Sequence, residues 1–218
     1  VATGVDYSNA ADPFHASEVD RIVNGTFIDP RIWTPISDPL YASQWHLHNA
    51  KYSGADINVT GVWTQGITGY GVNVAIIDDG LDYTSEDLYN NFLLEGSFDF
   101  NDHTKLPTPR LPEDYHGTRC AGQVAAVRNN GLCGIGVAYN AKVAGIRILS
   151  TQIDESDEIR ALNYRFDLND IYSCSWGPTD DGRTVEGPTP DIAEAFIHGV
   201  SKGRGGKGSI FVFATGNG

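Results

Sequence analysis

The chain has 218 residues, of which 40% are hydrophobic and 20% charged, which is enough for one domain with a substantial core. Its formal net charge of -13 argues against a nucleic-acid partner, because binding phosphates requires clustered Lys and Arg. The charge favours a cationic substrate or bound cations, although simple solubility is the better explanation of net charge alone. The chain starts without Met or a signal peptide, so we expect a mature or excised fragment.

The first third of the chain contains few strong patterns. Residues 1–36 are rich in Asp, Asn and Pro without a clear period, which predicts an extended, partly ordered arm. Residues 59–65 predict a short helix that ends at Gly66. Gly69 and Gly71 precede a strand, whereas the glycines of a dinucleotide-binding loop follow one, so they form a turn.

The chain is organised around an apolar run, residues 72–77, that ends in the adjacent carboxylates Asp78 and Asp79. Such a continuous run is typical of a strand buried on both faces of a parallel sheet. Ligands bind at the carboxyl ends of strands in open α/β sheets, so both aspartates stand where a site is expected. Taken alone, an aspartate at this place is more often a turn residue or a helix cap.

Two further segments favour a catalytic interpretation. His116 begins a stretch of small residues that predicts a closely packed helix, and with Asp78 it can form the acid and base of a Ser-His-Asp triad. Residues 209–213 predict a buried strand that leads to Asn217, whose side-chain amide can donate to an oxyanion during acyl transfer.

The remaining elements complete an α/β pattern. Strands are predicted at residues 142–149 and 171–175, and an acid-capped helix is predicted at 154–166. A second helix begins at Pro190 and carries an apolar face, which consists of Ala193, Phe196, Ile197 and Val200. Alternating strands and helices predict a parallel sheet with helices on both faces.

The sequences of three motifs resemble those of the subtilisin-like serine proteases: IIDDGLDY around Asp78, HGTRCAG from His116, and ATGNG with Asn217. Arg119-Cys120, together with the segment Ser173–Gly182, resembles the kexin/furin branch, the proprotein convertases, and kexin more than furin. The resemblance extends from about Ser37 to Gly218. It implies that residues 37–218 are a partial subtilisin-like catalytic domain, incomplete at the C-terminus, preceded by the arm of residues 1–36.

The resemblance implies a role for each catalytic residue. Asp78 orients His116, which exchanges a proton with a serine nucleophile, and Asn217 stabilises the oxyanion. The nucleophile of the family lies in a Gly-Thr-Ser context, which this sequence does not contain, so the fragment itself is expected to be inactive.

The resemblance also implies an acidic groove for substrates with paired basic residues, Lys-Arg or Arg-Arg. The primary pocket has a wall and an acidic floor, formed by Ser175, Trp176, Gly177 and Asp180. Further acids face the next basic side chain, namely Asp79, Glu113 and Asp114. Glu158 and Glu186 face a residue further out, although a solvated surface charge is nearly as good an explanation for these two.

Calcium is the cofactor that the resemblance implies. One site takes the side chains of Asp38, Asp87 and Asn130 and the carbonyls of Val127, Leu132 and Gly134. Asp180 helps to hold a second ion, whose other ligands lie beyond Gly218.

The cysteines and the glycosylation sequons bear on whether the protein enters the secretory pathway. Three cysteines cannot all pair with one another; Cys120 and Cys174 are predicted to be buried thiols, and the resemblance implies a disulfide from Cys133 to a later cysteine. Sequons at Asn24 and Asn58 are compatible with glycosylation. The resemblance implies the lumen of the secretory pathway, in the Golgi or a later compartment. It also implies precursor proteins as substrates, with a prodomain inhibitor and a C-terminal β-sandwich domain outside this chain.

The sequence as a whole therefore predicts a calcium-dependent serine endoprotease that cleaves after paired basic residues. The alternative is a non-catalytic, acidic, calcium-binding α/β module.

Overall fold

The computed structural model describes residues 35–216, together with the backbone of two short strands, β1 (Arg21–Val23) and β2 (Thr26–Ile28). These two strands form an antiparallel hairpin in which Ile22 is opposite Phe27. The sequence predicted only an extended arm here, because strands of three residues are too short to show a period.

In the part of the chain that the structure describes, the main sheet has five strands, which are all parallel to their neighbours in the order β4-β5-β3-β6-β7. Their bounds are β3 (Asn73–Asp78), β4 (Phe98–Asp99), β5 (Lys142–Arg147), β6 (Ile171–Cys174) and β7 (Ile210–Phe213). The apolar run before Asp78 is therefore the central strand. Its last residue lies in the middle of the carboxyl edge of the sheet.

Among the described residues, four α-helices accompany the sheet, and their bounds are α1 (Val59–Trp63), α2 (His116–Ala125), α3 (Glu155–Leu162) and α4 (Pro190–Gly206). The Asp154 carboxylate caps α3 by accepting a hydrogen bond from the Ser156 amide at 2.8 Å. Acids in the first turn favour that helix as well. It ends before the predicted residue 166, and Arg165 then takes a left-handed backbone conformation with φ of 51°.

The helices lie on both faces of the sheet, which confirms the predicted fold class. Val74 and Ile76 of β3 pack with Ala121 and Ala125 of α2 on one face. The alternate residues Ala75 and Ile77 belong to a second core cluster on the opposite face, with residues of α3 and α4. Within residues 35–216 and the hairpin strands, no helix has the length and apolar character needed to cross a membrane.

The predicted apolar face of α4 is wrong in part. Ile197 and Val200 are 64% and 53% exposed, whereas the buried positions include Ala195 and Gly199. A Cβ atom on Gly199 would lie 2.6 Å from the ring of Phe211. Gly199 therefore lets β7 approach the helix, Ile192 and Phe196 pack in the core beside it, and Ile197 and Val200 lie outside the contact.

Candidate active site

Asp78 is the last residue of β3 and is only 1% exposed. Its Oδ1 atom accepts a hydrogen bond from the Asp79 amide at 2.8 Å, and its two oxygens lie 3.0 and 2.9 Å from Nδ1 of His116. Burial raises the pKa of Asp78, while the Asp79 amide and His116 oppose that rise. The Asp78 carboxylate is therefore buried, and its contact with the imidazole of His116 stabilises the charged form.

His116 is the first residue of α2, and its side chain is 54% exposed. When Nδ1–H donates to the Asp78 carboxylate, the lone pair of the imidazole is on Nε2, which can then accept a proton. A buried carboxylate behind an accessible imidazole is the acid and base portion of a Ser-His-Asp triad. The structure thus brings together the two candidate catalytic residues that the sequence predicted from different segments.

Asp79 binds the start of α2. Its Oδ2 and Oδ1 atoms accept hydrogen bonds from the amides of His116 and Gly117 at 2.9 and 2.8 Å. A Cβ atom on Gly117 would lie 2.3 Å from the carbonyl oxygen of Gly80 and 2.8 Å from Cβ of Asp78. Only glycine at this position allows α2 to approach the end of β3 so closely.

Asp114, two residues before His116, is buried and hydrogen-bonded. Its Oδ2 atom accepts from the amides of Arg110 and Leu111 at 2.9 and 3.0 Å and from Oγ of Ser150 at 2.6 Å. Burial raises the pKa of Asp114, but these hydrogen bonds and the charge of Arg147 outweigh it and lower the pKa below its usual value. The group is held as a carboxylate inside the protein.

Arg147 is a site residue that the sequence analysis missed. It is paired with Asp78 in the register of β5 and β3, and its side chain is 3% exposed. Its guanidinium contacts three carboxylates, with the nearest nitrogen–oxygen distances being 3.0 Å to Asp99, 3.2 Å to Asp102 and 3.4 Å to Asp114. The available indication was a charged residue directly after the apolar residues 143–146, in the strand beside that of Asp78.

Comparison with known proteins agrees with this geometry. The sequence model of the subtilase family matches residues 69–218. The chain belongs to the subtilase family. It is 57% identical over 206 residues to "Protease KEX1" of Kluyveromyces lactis, which covers 94% of this chain and 26% of that protein. It is also 59% identical over 183 residues to "Kexin" of Saccharomyces cerevisiae, and this match covers 84% of this chain and 22% of that protein.

A solved structure of the serine protease of Aeromonas sobria is also similar, with a TM-score of 0.73 and 28% sequence identity over 94% of this chain and 35% of that chain. The chain spans about a quarter of the length of the curated relatives it matches. These similarities confirm the resemblance to the kexin branch that the motifs predicted.

In this subtilase, Cys120 is not the buried thiol that was predicted. It is partly exposed, and its Sγ atom lies 3.7 and 3.8 Å from the ring nitrogens of His116 and 3.9 Å from Oγ of Ser175. Burial raises the pKa of the Cys120 thiol, and the charges of Asp78 and Asp79 raise it further. The neutral thiol therefore links His116 to the end of β6. Cys174 is 1% exposed, as predicted, and Cys133 is exposed.

The residues predicted to form the primary pocket follow β6. Ser175 and Trp176 are half-buried, and Gly177 and Asp180 are exposed. The Trp176 ring packs edge-on against Phe213 of β7, with the ring centroids 5.5 Å apart. A Cβ atom on Gly216 would lie 3.1 Å from Oδ2 of Asp180. Asp180 is therefore beside the segment that leads to Asn217, which itself lies outside the described residues.

The remaining substrate-binding candidates lie in different environments. Glu113 and Glu186 are exposed. Glu158 is half-buried, and burial raises its pKa, while a hydrogen bond with the Trp176 side chain opposes the rise. Glu158 of α3 is thus in contact with the wall of the candidate pocket.

The predicted calcium ligands come together where three loops meet. Oδ2 of Asp38 accepts from the Asn129 amide at 2.8 Å, and Nδ2 of Asn130 donates to Oδ1 of Asp87 at 2.7 Å. The Val127 amide donates to the Asp87 carbonyl at 2.9 Å, and the Leu132 amide donates to Oδ1 of Asn130 at 3.0 Å. The same loop contains Gly134, which is buried. The structure therefore places all six predicted positions in one region.

Proposed function

We propose that this subtilase is a calcium-dependent serine endoprotease that cleaves precursor proteins after paired basic residues, Lys-Arg or Arg-Arg. The observation that carries the proposal is the contact of both Asp78 oxygens with Nδ1 of the accessible His116, at 3.0 and 2.9 Å. A buried carboxylate that orients an imidazole serves acyl transfer by a hydroxyl nucleophile. Kexin-type relatives support the substrate class.

The chemistry follows from the two described catalytic groups. Nε2 of His116 removes the proton from a serine hydroxyl and later gives it to the leaving amine, while Asp78 stabilises the imidazolium. The side-chain amide of Asn217 is the proposed oxyanion donor, a contribution of about 3 to 4 kcal/mol to transition-state stability in such enzymes. The proposed nucleophile is a serine in a Gly-Thr-Ser segment, which this sequence does not contain.

Charge supports a basic substrate. Asp180 lies beside the segment that leads to Asn217, and Glu113 is exposed three residues before His116. Glu158 contacts Trp176 at the pocket wall, and Glu186 is exposed. Carboxylates near one groove attract Lys and Arg side chains, and each charge-assisted hydrogen bond is worth about 1.5 to 3 kcal/mol. We propose that the Asp180 carboxylate binds the side chain of the arginine after which the substrate is cut.

The loops around Asp38 fit a calcium ion. Oδ1 of Asp38 is buried and has no hydrogen-bond partner among residues 35–216. Burial raises the pKa of Asp87, as does the charge of Asp38, while Asn130 opposes the rise. Two close carboxylates and an orphan oxygen are a donor set for a hard cation. A bound Ca²⁺ would supply the positive charge that these oxygens need, held by Asp38, Asp87, Asn130 and the carbonyls of Val127, Leu132 and Gly134. Asp180 would contribute to a second site.

The proposal includes a secretory route. Asn58 of the second sequon is exposed at the start of α1, so its side chain can carry a glycan; Asn24 lies outside the described residues. The exposed Cys133 can form the disulfide that the resemblance implies. We extend the resemblance to the Golgi or late secretory lumen, to a prodomain inhibitor and to a C-terminal β-sandwich domain.

The test uses the full-length protein, purified with calcium. Fluorogenic peptides ending in Lys-Arg, Ala-Arg and Lys-Ala are compared for wild type and His116→Ala. We expect turnover of the Lys-Arg peptide by wild type, weaker turnover of the Ala-Arg peptide and none of the Lys-Ala peptide. The His116→Ala variant should lose activity by about a factor of 10⁴ or more. Turnover that survives in His116→Ala, or equal rates on all three peptides, would contradict the proposal.

A further inference from the structure

Both carboxylate oxygens of Asp79 bind the protein itself. Oδ2 accepts from the His116 amide and Oδ1 from the Gly117 amide, at 2.9 and 2.8 Å, and the residue is 8% exposed. These amides are the first two of α2, which have no acceptor within the helix. A carboxylate at this position also interacts favourably with the positive end of the helix dipole.

Asp79 also contacts the other member of the catalytic pair. Its backbone amide donates to Oδ1 of Asp78 at 2.8 Å, so one residue binds the Asp78 carboxylate with its main chain and the His116 backbone with its side chain. Because His116 is the first residue of α2, the position of its ring depends directly on where that helix begins.

The local packing makes this connection rigid. Gly117 lies so close to the loop after β3 that a Cβ atom there would be 3.1 Å from Oδ1 of Asp79 and 2.3 Å from the Gly80 carbonyl oxygen. On the other side of Asp79, its carbonyl oxygen shares the single hydroxyl proton of Ser150 with Oδ2 of Asp114, at distances from Oγ of 3.0 and 2.6 Å. Both the side chain and the main chain of Asp79 are thus fixed by neighbouring segments.

We propose that Asp79 is a positioning residue for His116: its bidentate hydrogen bonds fix the start of α2 and hold the imidazole against Asp78. This inference rests on the proposed proteolytic function. It differs from the substrate-reading role that the resemblance implies, because the bound groups are two amides of this chain. A shift of about 1 Å in a catalytic group costs about 100-fold in rate, so a loosened helix start should reduce turnover for every substrate.

The test is Asp79→Asn in the full-length enzyme, since an asparagine presents one oxygen and one NH₂ group to two N–H donors. Peptides ending in Lys-Arg and Ala-Arg are measured in parallel. We expect kcat to fall by about tenfold or more, by the same factor on both peptides, with KM changed by about twofold or less. The control is Asp167→Asn, which changes an exposed acid outside the candidate site, where it pairs with Arg165, and should leave kcat on both peptides unchanged.

A loss confined to the Lys-Arg peptide, or a change in KM alone, would show that Asp79 reads the substrate and would overturn the inference. An unchanged kcat would overturn it as well. Hydrogen exchange of the wild-type protein gives a second measurement that needs no folded variant. The amides of His116 and Gly117 should be protected, whereas exchange as fast as at the exposed first residue of α3, Glu155, would refute the inference. If wild type cleaves neither peptide, the proposed function fails, and the exchange measurement still tests the hydrogen bonds.

Discussion

Asp78 and Arg147 lie directly opposite each other across the parallel strands β3 and β5, and both side chains are almost fully buried. The Asp78 carboxylate contacts His116. The Arg147 guanidinium instead forms ion pairs with the carboxylates of Asp99, Asp102 and Asp114. Two opposite charges at neighbouring positions of one sheet edge thus interact with different side chains. We therefore expect replacement of Asp78 and replacement of Arg147 to have different effects on stability.

Replacing Asp78 by Asn should abolish activity without lowering stability at neutral pH. The pKa of Asp78 is raised above its usual value of 3.8, chiefly by burial, so the folded protein binds this proton more tightly than the unfolded chain. Its contribution to stability therefore falls as the pH rises through and above that value. Thermal melts of Asp78→Asn should equal or exceed wild type at pH 7, with the difference shrinking toward pH 3.5 or so.

Asp154→Asn is the control of opposite sign. Hydrogen bonds from Ser156 lower the pKa of Asp154, so its contribution is present at neutral pH and is lost as the pH falls through the lowered value. This variant should melt at or below the wild-type temperature at pH 7. A marked fall in the melting temperature of Asp78→Asn at pH 7 would contradict the first expectation.

Arg147→Met should destabilise the fold by about 3 to 5 kcal/mol, because it leaves buried carboxylates without their cation. Arg147→Lys should recover part of the loss, since an ammonium keeps the charge but not the planar set of donors. Urea unfolding of the full-length protein measures both. The matched control is Arg165→Met, which breaks the exposed ion pair with Asp167 and should cost about 1 kcal/mol or less. Similar losses for the two Met variants would show that the buried cluster adds little.

Calcium should stabilise the protein through Asp87. A ligand at 100 times its dissociation constant adds about 2.7 kcal/mol to the free energy of unfolding, so the melting temperature of wild type should rise on titration with calcium. In Asp87→Ala the rise should be flattened. Asp167→Ala, which removes an exposed acid elsewhere on the surface, should keep it. An unchanged titration in Asp87→Ala would mean that these loops do not bind the ion.

Asp180 should determine the preference for arginine at the cut. In Asp180→Asn, the preference for a peptide ending in Arg over one ending in norleucine should fall by about tenfold or more, because one charge-assisted hydrogen bond is lost. Steady-state kinetics of the full-length enzyme with saturating calcium provide the measurement. Asp181→Asn is the adjacent control, since that carboxylate accepts from the amides of Arg183 and Thr184. Equal slowing on both peptides would assign Asp180 to a calcium site or to the fold.

The predictions from sequence succeeded where the pattern is local. The apolar run before Asp78 predicted a central parallel strand, and small residues after His116 predicted a helix in close contact, because burial on both faces leaves a continuous record in the sequence. The face of α4 was mispredicted, since Gly199 does not score as apolar and yet is the residue that β7 approaches. The contact of Cys120 with Ser175 was missed because the two residues are 55 positions apart in the sequence.

By itself, the sequence determined that the chain forms an α/β sheet with Asp78 at the end of a strand and His116 at the start of a helix. It could not say which acids near them face inward. Asp79, Glu113 and Asp114 are all acidic residues, and the sequence does not distinguish their environments. In the folded chain Asp79 and Asp114 are buried, whereas Glu113 is exposed. That distinction depends on donors from distant segments, such as Arg147, which is 33 residues from Asp114. An aspartate has the same acceptor oxygens in either case, and only the packing of one segment on another decides whether amides, an arginine or solvent will occupy them.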